Sequence, residues 1–421
     1  MKILIRNGRV VDPASGRDAV GDVAIADGRI CESLAGGPER VIDARGLVVA
    51  PGLIDLSARL REPGFEYKAT LESEMDAAVA GGVTSLACPP DTDPPLDEPG
   101  LVDMLRRRAK ALSRARVYPV GALTVQLAGE RLTEMAELAE AGCVAFSQAN
   151  APLSDTQVLW RALQYAATFG FPVWLRAEDY CLARGGVAHD GEVATRLGLP
   201  GIPAFAETIA LGALLELVRA SGARLHVCRL SSAGAVQLMR AAKAEGLPVS
   251  CDVGAHYVHL SDMDLGYFDS HCRLTPPLRS QRDREALSAG LADGTIDCMC
   301  SDHTPVDEDQ KQLPFSEAEP GASGLELLLP LALKWGAQRN LPLAKTLARI
   351  TSDPARILGV QSGRLTAGAP ADVVVFDPLA PVRISAGMLR SQGKNTPFLG
   401  YELEGRVRYT LVAGKPVYES E

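Results

Sequence analysis

The sequence predicts an α/β fold, a (β/α)8 TIM barrel carrying a small β-sandwich domain made from both chain ends. Eight short apolar runs recur through the middle, near 53–58, 83–88, 116–120, 142–147, 172–177, 224–230, 248–253 and 296–301. Stretches at helical period separate them, among them TLESEMDAAVAG, PGLVDMLRRRAKAL, AETIALGALLELVRAS and AGAVQLMRAAKAEG. Strands that alternate with helices build a parallel sheet, and eight such units close into a barrel. An open doubly wound sheet is the competing arrangement, but no Gly-rich loop follows the first strand.

The chain ends read differently. MKILIRNGRVVDP, DVAIADGRI and RVIDARGLVVAPG are apolar runs broken by Gly-containing turns, and similar text returns in ADVVVFDP and RVRYTLVAGKPVYE. Such turns favour a small antiparallel unit. The expected division is therefore residues 1–50 with 361–421 as a composite β domain, and 51–360 as the barrel.

Composition narrows the class. With 421 residues, 47% of them apolar and 23% charged, the chain has the material for a large globular core. A net charge of −9 argues against a sequence-independent nucleic-acid surface, which needs clustered Lys and Arg. The first residues meet charge too soon for a signal peptide, and no apolar run is long enough to span a bilayer. Nine scattered cysteines then read as free thiols in a reducing cytoplasm. Cys298 and Cys300, two apart on a strand, are expected on one face.

Barrel enzymes work at the carboxyl ends of their strands. The first strand ends in PGLIDLSARLREPG, which resembles the dihydroorotases of the cyclic amidohydrolase superfamily. Further matches follow in order: GGVTSLACPPDTDPP, TPPLRSQRDREAL, SDHTP, GASGLELLLPL, SDPARILG and GKNTPFLGYELEGRVRYTLVAGKPVY. The resemblance covers nearly the whole chain and implies an amidohydrolase-type barrel.

In that family the first strand carries Asp-x-His-x-His, two histidines on one face gripping zinc. Asp55, Leu60, Arg61, Glu62, Pro63 and Gly64 match the pattern, but Ser57 and Arg59 stand at the histidine positions. The fourth strand offers Gln148 and Ala149 where a carboxylated lysine or aspartate is expected. Arg176, followed by Glu178, and Arg229 replace the histidines of the fifth and sixth strands. Asp302 alone keeps its place, as a vestige of the catalytic aspartate. A catalytic zinc site takes about three His, Cys or carboxylate ligands, and charged arginine is none of these. No metal and no other cofactor is expected.

The substrate positions differ as well. Arg61 matches the family's carboxylate-binding arginine, whereas Asp91 and Thr275 stand where asparagines are expected and Val306 replaces a histidine. Asp91 is expected to repel an anionic substrate. Three arginines where cations once sat allow two arrangements. They pair with Asp302, Glu178 and Asp55 in a buried network, or they also bind a small anion through their forked donors. The six histidines match no zinc spacing. The charged segment DHTPVDEDQKQLPFSEAEPG is expected to be mobile without a ligand.

Degenerate dihydroorotase homologues of this kind partner aspartate carbamoyltransferase. The resemblance thus implies a cytoplasmic pseudoenzyme that assembles or stabilises the transferase in pyrimidine biosynthesis. A homo-oligomer, in the simplest case a dimer, is expected, with no nucleic-acid or membrane partner. The alternatives are a regulatory subunit sensing an anionic metabolite, and a metal-independent amidohydrolase built around Asp302.

Overall fold

The computed structural model describes residues 1–420. Its centre is a barrel of eight parallel strands: Leu53–Asp55, Val83–Cys88, Arg116–Ala122, Ala145–Ser147, Pro172–Leu175, Arg224–Val227, Val249–Gly254 and Cys298–Cys300. They pair in sequence order from first to eighth. Closure between the first and eighth is less regular. At the carboxyl ends Ala58 bridges His303, with Arg59 N donating to His303 O at 2.9 Å and His303 N to Ser57 O at 3.0 Å. Lower down, residues 349 and 350 lie between the two strands. Ile54 N donates to Ile350 O at 2.9 Å and Met299 N to Arg349 O at 3.0 Å.

The barrel interior is filled with side chains. Ile54, Val120, Trp174, Cys298 and Cys300 belong to one buried cluster, to which Ala355 and Leu358 of helix Ser352–Leu358 contribute. The two cysteines thus share a face, as their spacing requires. All nine thiols are free.

The four helical stretches appear as Leu71–Ala80, Pro99–Leu112, Phe205–Ser221 and Ala233–Ala244. Local chemistry fixes their starts. Thr70 Oγ1 accepts from Ser73 N at 3.2 Å while Ser73 Oγ accepts from Thr70 N at 3.1 Å, a reciprocal cap. Ser232 Oγ accepts from Ala235 N at 3.2 Å. In Phe205–Ser221, Leu211, Leu214, Leu215 and Val218 are buried, the three-and-four spacing of one helix face.

Both chain ends meet in a second, eight-stranded sheet. Val373–Arg383 runs antiparallel to Val48–Pro51 and to Glu402–Val412, which joins the last pieces of the chain to the first. The sheet is not wholly antiparallel. Ile3–Asp12 pairs in parallel with Arg40–Asp43 through its first half and with Val48–Pro51 through its second. Its separate core includes Ile3, Ile5, Val23, Ile25, Val373 and Leu411. Arg116 grips the fully buried Asp372 through two hydrogen bonds of 3.0 and 3.1 Å and so ties barrel to sheet.

Residues 384–401, between two strands of that sheet, return to the barrel mouth. Asn395 Nδ2 donates to Thr304 O at 3.1 Å and Gly321 O at 3.0 Å, and its Oδ1 accepts from Val306 N at 2.9 Å. The charged segment after Asp302 is anchored there too. Lys311 is buried and donates to Ser270 O and Arg273 O, Phe315 is buried, and Glu319 pairs with Lys68 at 2.6 Å. Lys311, Phe315 and Glu319 thus give the segment fixed contacts with the barrel, while Glu308, Asp309 and Glu317 are exposed. Among the described residues no helix is long and apolar enough to cross a membrane.

Candidate functional site

The carboxyl ends of the strands converge on Asp302, just past the eighth strand. Arg229 Nη1 donates to Asp302 Oδ1 at 3.1 Å, Arg59 Nη1 lies 3.6 Å from the same oxygen, and Ser57 Oγ donates to it at 3.4 Å. Positions 57, 59, 229 and 302, chosen from sequence, therefore form one constellation. Arg59, Arg229 and Asp302 are 4, 4 and 5% exposed, so their charges are withdrawn from water and must be met by one another. Burial opposes the charge on Arg229, yet Asp302 together with Cys228, Tyr257 and Asp252 more than offsets it and strengthens the guanidinium's hold on its proton.

Arg59 has a second acid. Its Nε donates to Asp91 Oδ2 at 2.7 Å and its Nη1 to Thr304 Oγ1 at 3.1 Å. Burial pushes the Asp91 carboxyl up, but Arg59 and then Arg61 and Arg229 override this and hold it below the ordinary range. Asp91 therefore serves as counter-ion to an arginine, which removes most of its power to repel an anion. Two cations and two carboxylates share the mouth in balance.

Asp55 departs from the expected network. It pairs with no arginine: its carboxylate accepts from Ser301 N at 2.9 Å, from Ser57 N at 3.3 Å and from the Ser301 hydroxyl. These bonds join the first strand to the eighth beneath the mouth. Complete burial pushes the carboxyl up to about 6 against these stabilising donors.

Arg176 pairs with Glu178 as expected, through contacts of 2.5 and 2.7 Å, but this pair stands apart from Asp302. It borders a cavity of about 220 Å³ beside the mouth, with Asn150, Tyr180, Ile209 and Leu214 among its walls. Gln148 is consumed locally: its Oε1 accepts from Thr124 Oγ1 at 2.9 Å and its Nε2 donates to Leu127 O at 2.7 Å. Arg61 is likewise occupied, by Pro305 O at 2.8 Å and Glu319 at 3.6 Å. Thr275 is half-buried, next to Pro276, whose carbonyl accepts from Tyr257 Oη at 2.8 Å. Val306 is buried.

Three participants escaped the sequence reading: Asn150, Thr304 and Trp174. Asn150 Oδ1 accepts from Arg229 Nη2 at 2.7 Å. Asn150 lies three residues and Thr304 four residues beyond the end of a barrel strand, and Trp174 one residue before one, and that nearness is the one signal that marks them. Backbone geometry also sets the mouth apart. Arg61, Ala149, Arg229 and Asp302 have φ of 61°, 51°, 56° and 47°, left-handed values uncommon outside glycine. Such values gather at functional sites, and here they turn Arg229 and Asp302 toward each other.

The side chains do not fit the family's metal centre. Ser57, Arg59, Gln148, Arg176 and Arg229 offer no set of three ligands, and the guanidinium groups place positive charge there. A different group does have metal-ligand spacing. One ligand atom each from His226, Cys228 and Asp252 lies within 4.8 Å of the others, deeper in the barrel. Both ring nitrogens of His226 are engaged, Nδ1 with Ser250 Oγ at 2.8 Å and Nε2 with Asp252 Oδ2 at 2.9 Å. Burial pushes the Cys228 thiol up, which disfavours the thiolate that binds metal. His303, next to Asp302, is engaged away from the site. It accepts from Gly324 N at Nδ1 (3.0 Å), so Nε2 carries the proton toward Glu74 Oε2 at 2.5 Å.

Comparison with known proteins agrees with this architecture. The Dihydro-orotase-like family model matches residues 46–235, and the Amidohydrolase family model matches residues 181–417. A dihydroorotase-like protein of Pseudomonas aeruginosa is 46% identical over 100% of both chains, and a dihydroorotase of Geobacter sp. (strain M21) is 42% identical over 100% of both. Among solved structures, the L-hydantoinase (dihydropyrimidinase) of Arthrobacter aurescens superposes with a TM-score of 0.88 at 25% identity, covering 99% of this chain and 96% of that one. Sequence relationship over the full length and a shared barrel lead to one conclusion: this chain belongs to the dihydroorotase-like family of amidohydrolases.

Proposed function

We propose that this chain is a non-catalytic dihydroorotase-like protein, a structural and assembly subunit for aspartate carbamoyltransferase in pyrimidine biosynthesis. One observation carries the catalytic half of the reading: Asp302 is held by Arg59 and Arg229. An aspartate that must take up and release a proton needs room and a reacting partner, and here two guanidinium groups and Ser57 occupy its approach. The same pairing counts against a metal-independent hydrolase built on Asp302. The assembly half rests on the resemblance of the lost histidine positions. In this reading the barrel acts in the cytoplasm as a homo-oligomer, in the simplest case a dimer, and its outer surface carries the role.

Relatives at 42% identity described as dihydroorotases keep a hydrolytic reading open, and the cluster of His226, Cys228 and Asp252 gives it a specific form. A metal there would have to break the His226–Asp252 hydrogen bond and ionise a thiol that burial disfavours. The metabolite-sensing reading finds its room in the 220 Å³ cavity beside Arg176 rather than in the mouth itself.

Two measurements test the proposal. Metal analysis of the purified protein, with dihydroorotate hydrolysis assayed in both directions under added zinc, is expected to give neither stoichiometric metal nor turnover. Co-expression with the same organism's aspartate carbamoyltransferase is expected to give a mixed complex on sizing. Zinc-dependent turnover overturns the first half; separate elution with a fully active transferase overturns the second.

A further inference from the structure

The arginine-lined mouth retains a small cavity of about 20 Å³. That is a little more than one water needs, enough for a single water molecule or monatomic ion, and excludes phosphate, a carboxylic acid or a dihydropyrimidine. Ser57, Arg59, Ser147, Trp174, Cys228 and Arg229 are among its walls. Three of these residues carry a buried N–H group without a partner: Arg59 Nη2, Arg229 Nε and Trp174 Nε1. They are 4, 4 and 3% exposed, so bulk water does not satisfy these donors. An unmet buried donor is destabilising, and three around one cavity call for an acceptor within it.

A water molecule meets this demand incompletely. It accepts through two lone pairs and brings two hydrogens that themselves need acceptors. Ser57 Oγ donates to Asp302 and Ser147 Oγ accepts from Ala149 N at 3.0 Å, so both keep a lone pair for water's hydrogens, but water's own two lone pairs serve only two of the three donors. Asp91 Oδ1 is an unpartnered acceptor of the same region but not part of the cavity wall. A monatomic anion accepts from all three donors and requires none in return. Two of the donors belong to guanidinium groups, whose charge favours it further. Asp91 and Asp302 stand behind those groups and oppose the anion, which limits its affinity.

We propose that the vacated centre is a halide site, occupied in solution by chloride held between Arg59, Arg229 and Trp174. The site is independent of any role in assembly, so the two ideas fail separately.

Bromide substitution gives a direct test on the full-length protein. Crystals grown in sodium bromide are expected to show an anomalous peak in contact with Arg59, Arg229 and Trp174. In parallel, thermal unfolding is followed in sodium chloride and in sodium gluconate at matched ionic strength. The midpoint is expected to rise by roughly 1–2 °C for each tenfold increase in chloride above its dissociation constant, with no rise in gluconate. Trp174→Phe deletes one donor while keeping an aromatic ring, and is expected to lessen the chloride response; Trp174→His restores an N–H and guards against a purely steric effect. Absence of the peak, or equal midpoints in the two salts for the wild type, overturns the proposal in favour of an ordered water.

Discussion

Arg229 Nη1 donates to Asp302 Oδ1 at 3.1 Å, so that the sixth and eighth barrel strands are joined across the mouth by side chains with left-handed backbone at both positions. The bond replaces, with a direct ion pair, the place at which the family's pattern puts a metal between a histidine and this aspartate. Its burial makes the mouth sensitive to loss of either member. That sensitivity is open to measurement.

Asp302→Ala leaves Arg59 and Arg229 with one shared carboxylate fewer. Breaking a buried pair from one side typically costs about 3–5 kcal/mol, because the remaining charge stays buried and unmet. Urea unfolding is expected to show a loss of that order. A change below about 1 kcal/mol would mean that water enters the mouth and the pair is not buried in solution.

Arg176→Ala is the matched contrast. Its acid, Glu178, is about a fifth exposed and borders an open cavity, so the carboxylate left behind can be hydrated. The expected loss is about 1 kcal/mol, well below that of Arg229→Ala measured alongside. Equal losses would refute the separation of the two pairs.

Asp55 gives a pH signature. Its folded pKa of about 6 lies above the ordinary aspartate value, so the folded state binds the proton more tightly than the unfolded state. The stability linked to this group is present in full below about pH 4 and is lost as pH rises through about 6. Asp55→Asn cannot titrate. The stability of the variant relative to the wild type is therefore expected to increase from pH 4 to pH 7. Comparing the two proteins at each pH cancels His259, whose pKa burial lowers to about 4 and which acts in the opposite direction over the same window. A pH-independent difference would place the Asp55 carboxyl in contact with water.

Glu74 joins the barrel to the returning segment. It accepts from Ser391 Oγ at 2.7 Å and Gln392 N at 3.0 Å and takes the His303 proton bond. Glu74→Ala is expected to speed amide exchange at Gln392 and its neighbours at least tenfold, with little change in the barrel strands. Unchanged protection there would show that the other contacts, among them Asn395 and the Glu326 carboxylate that accepts from Arg390 N and Ser391 N, hold the segment without Glu74.

The strand rhythm and the pairing of the chain ends were legible in sequence because burial imposes a period on them: continuous apolar runs in the barrel and turn-broken runs in the end sheet. Ser57, Arg59, Arg176 and Arg229 were also legible, since a strand-end position two residues from a matched one projects to the same side. Which acid each arginine meets was not. Asp55 was expected to join an arginine, and instead Ser301 takes its carboxylate from a strand more than two hundred residues later. Asp91, expected to repel a ligand, is the closest partner of Arg59.

The sequence by itself determined a barrel of the dihydroorotase-like type whose metal-binding positions hold serine, glutamine and arginine, because residue identity alone decides whether a side chain can be a ligand. Only the tertiary structure decided that Arg59 and Arg229 close on Asp302 while Arg176 stands apart with Glu178. Charge pairing in a buried site depends on distances of a few ångströms between segments far apart in the chain, and no local pattern records them.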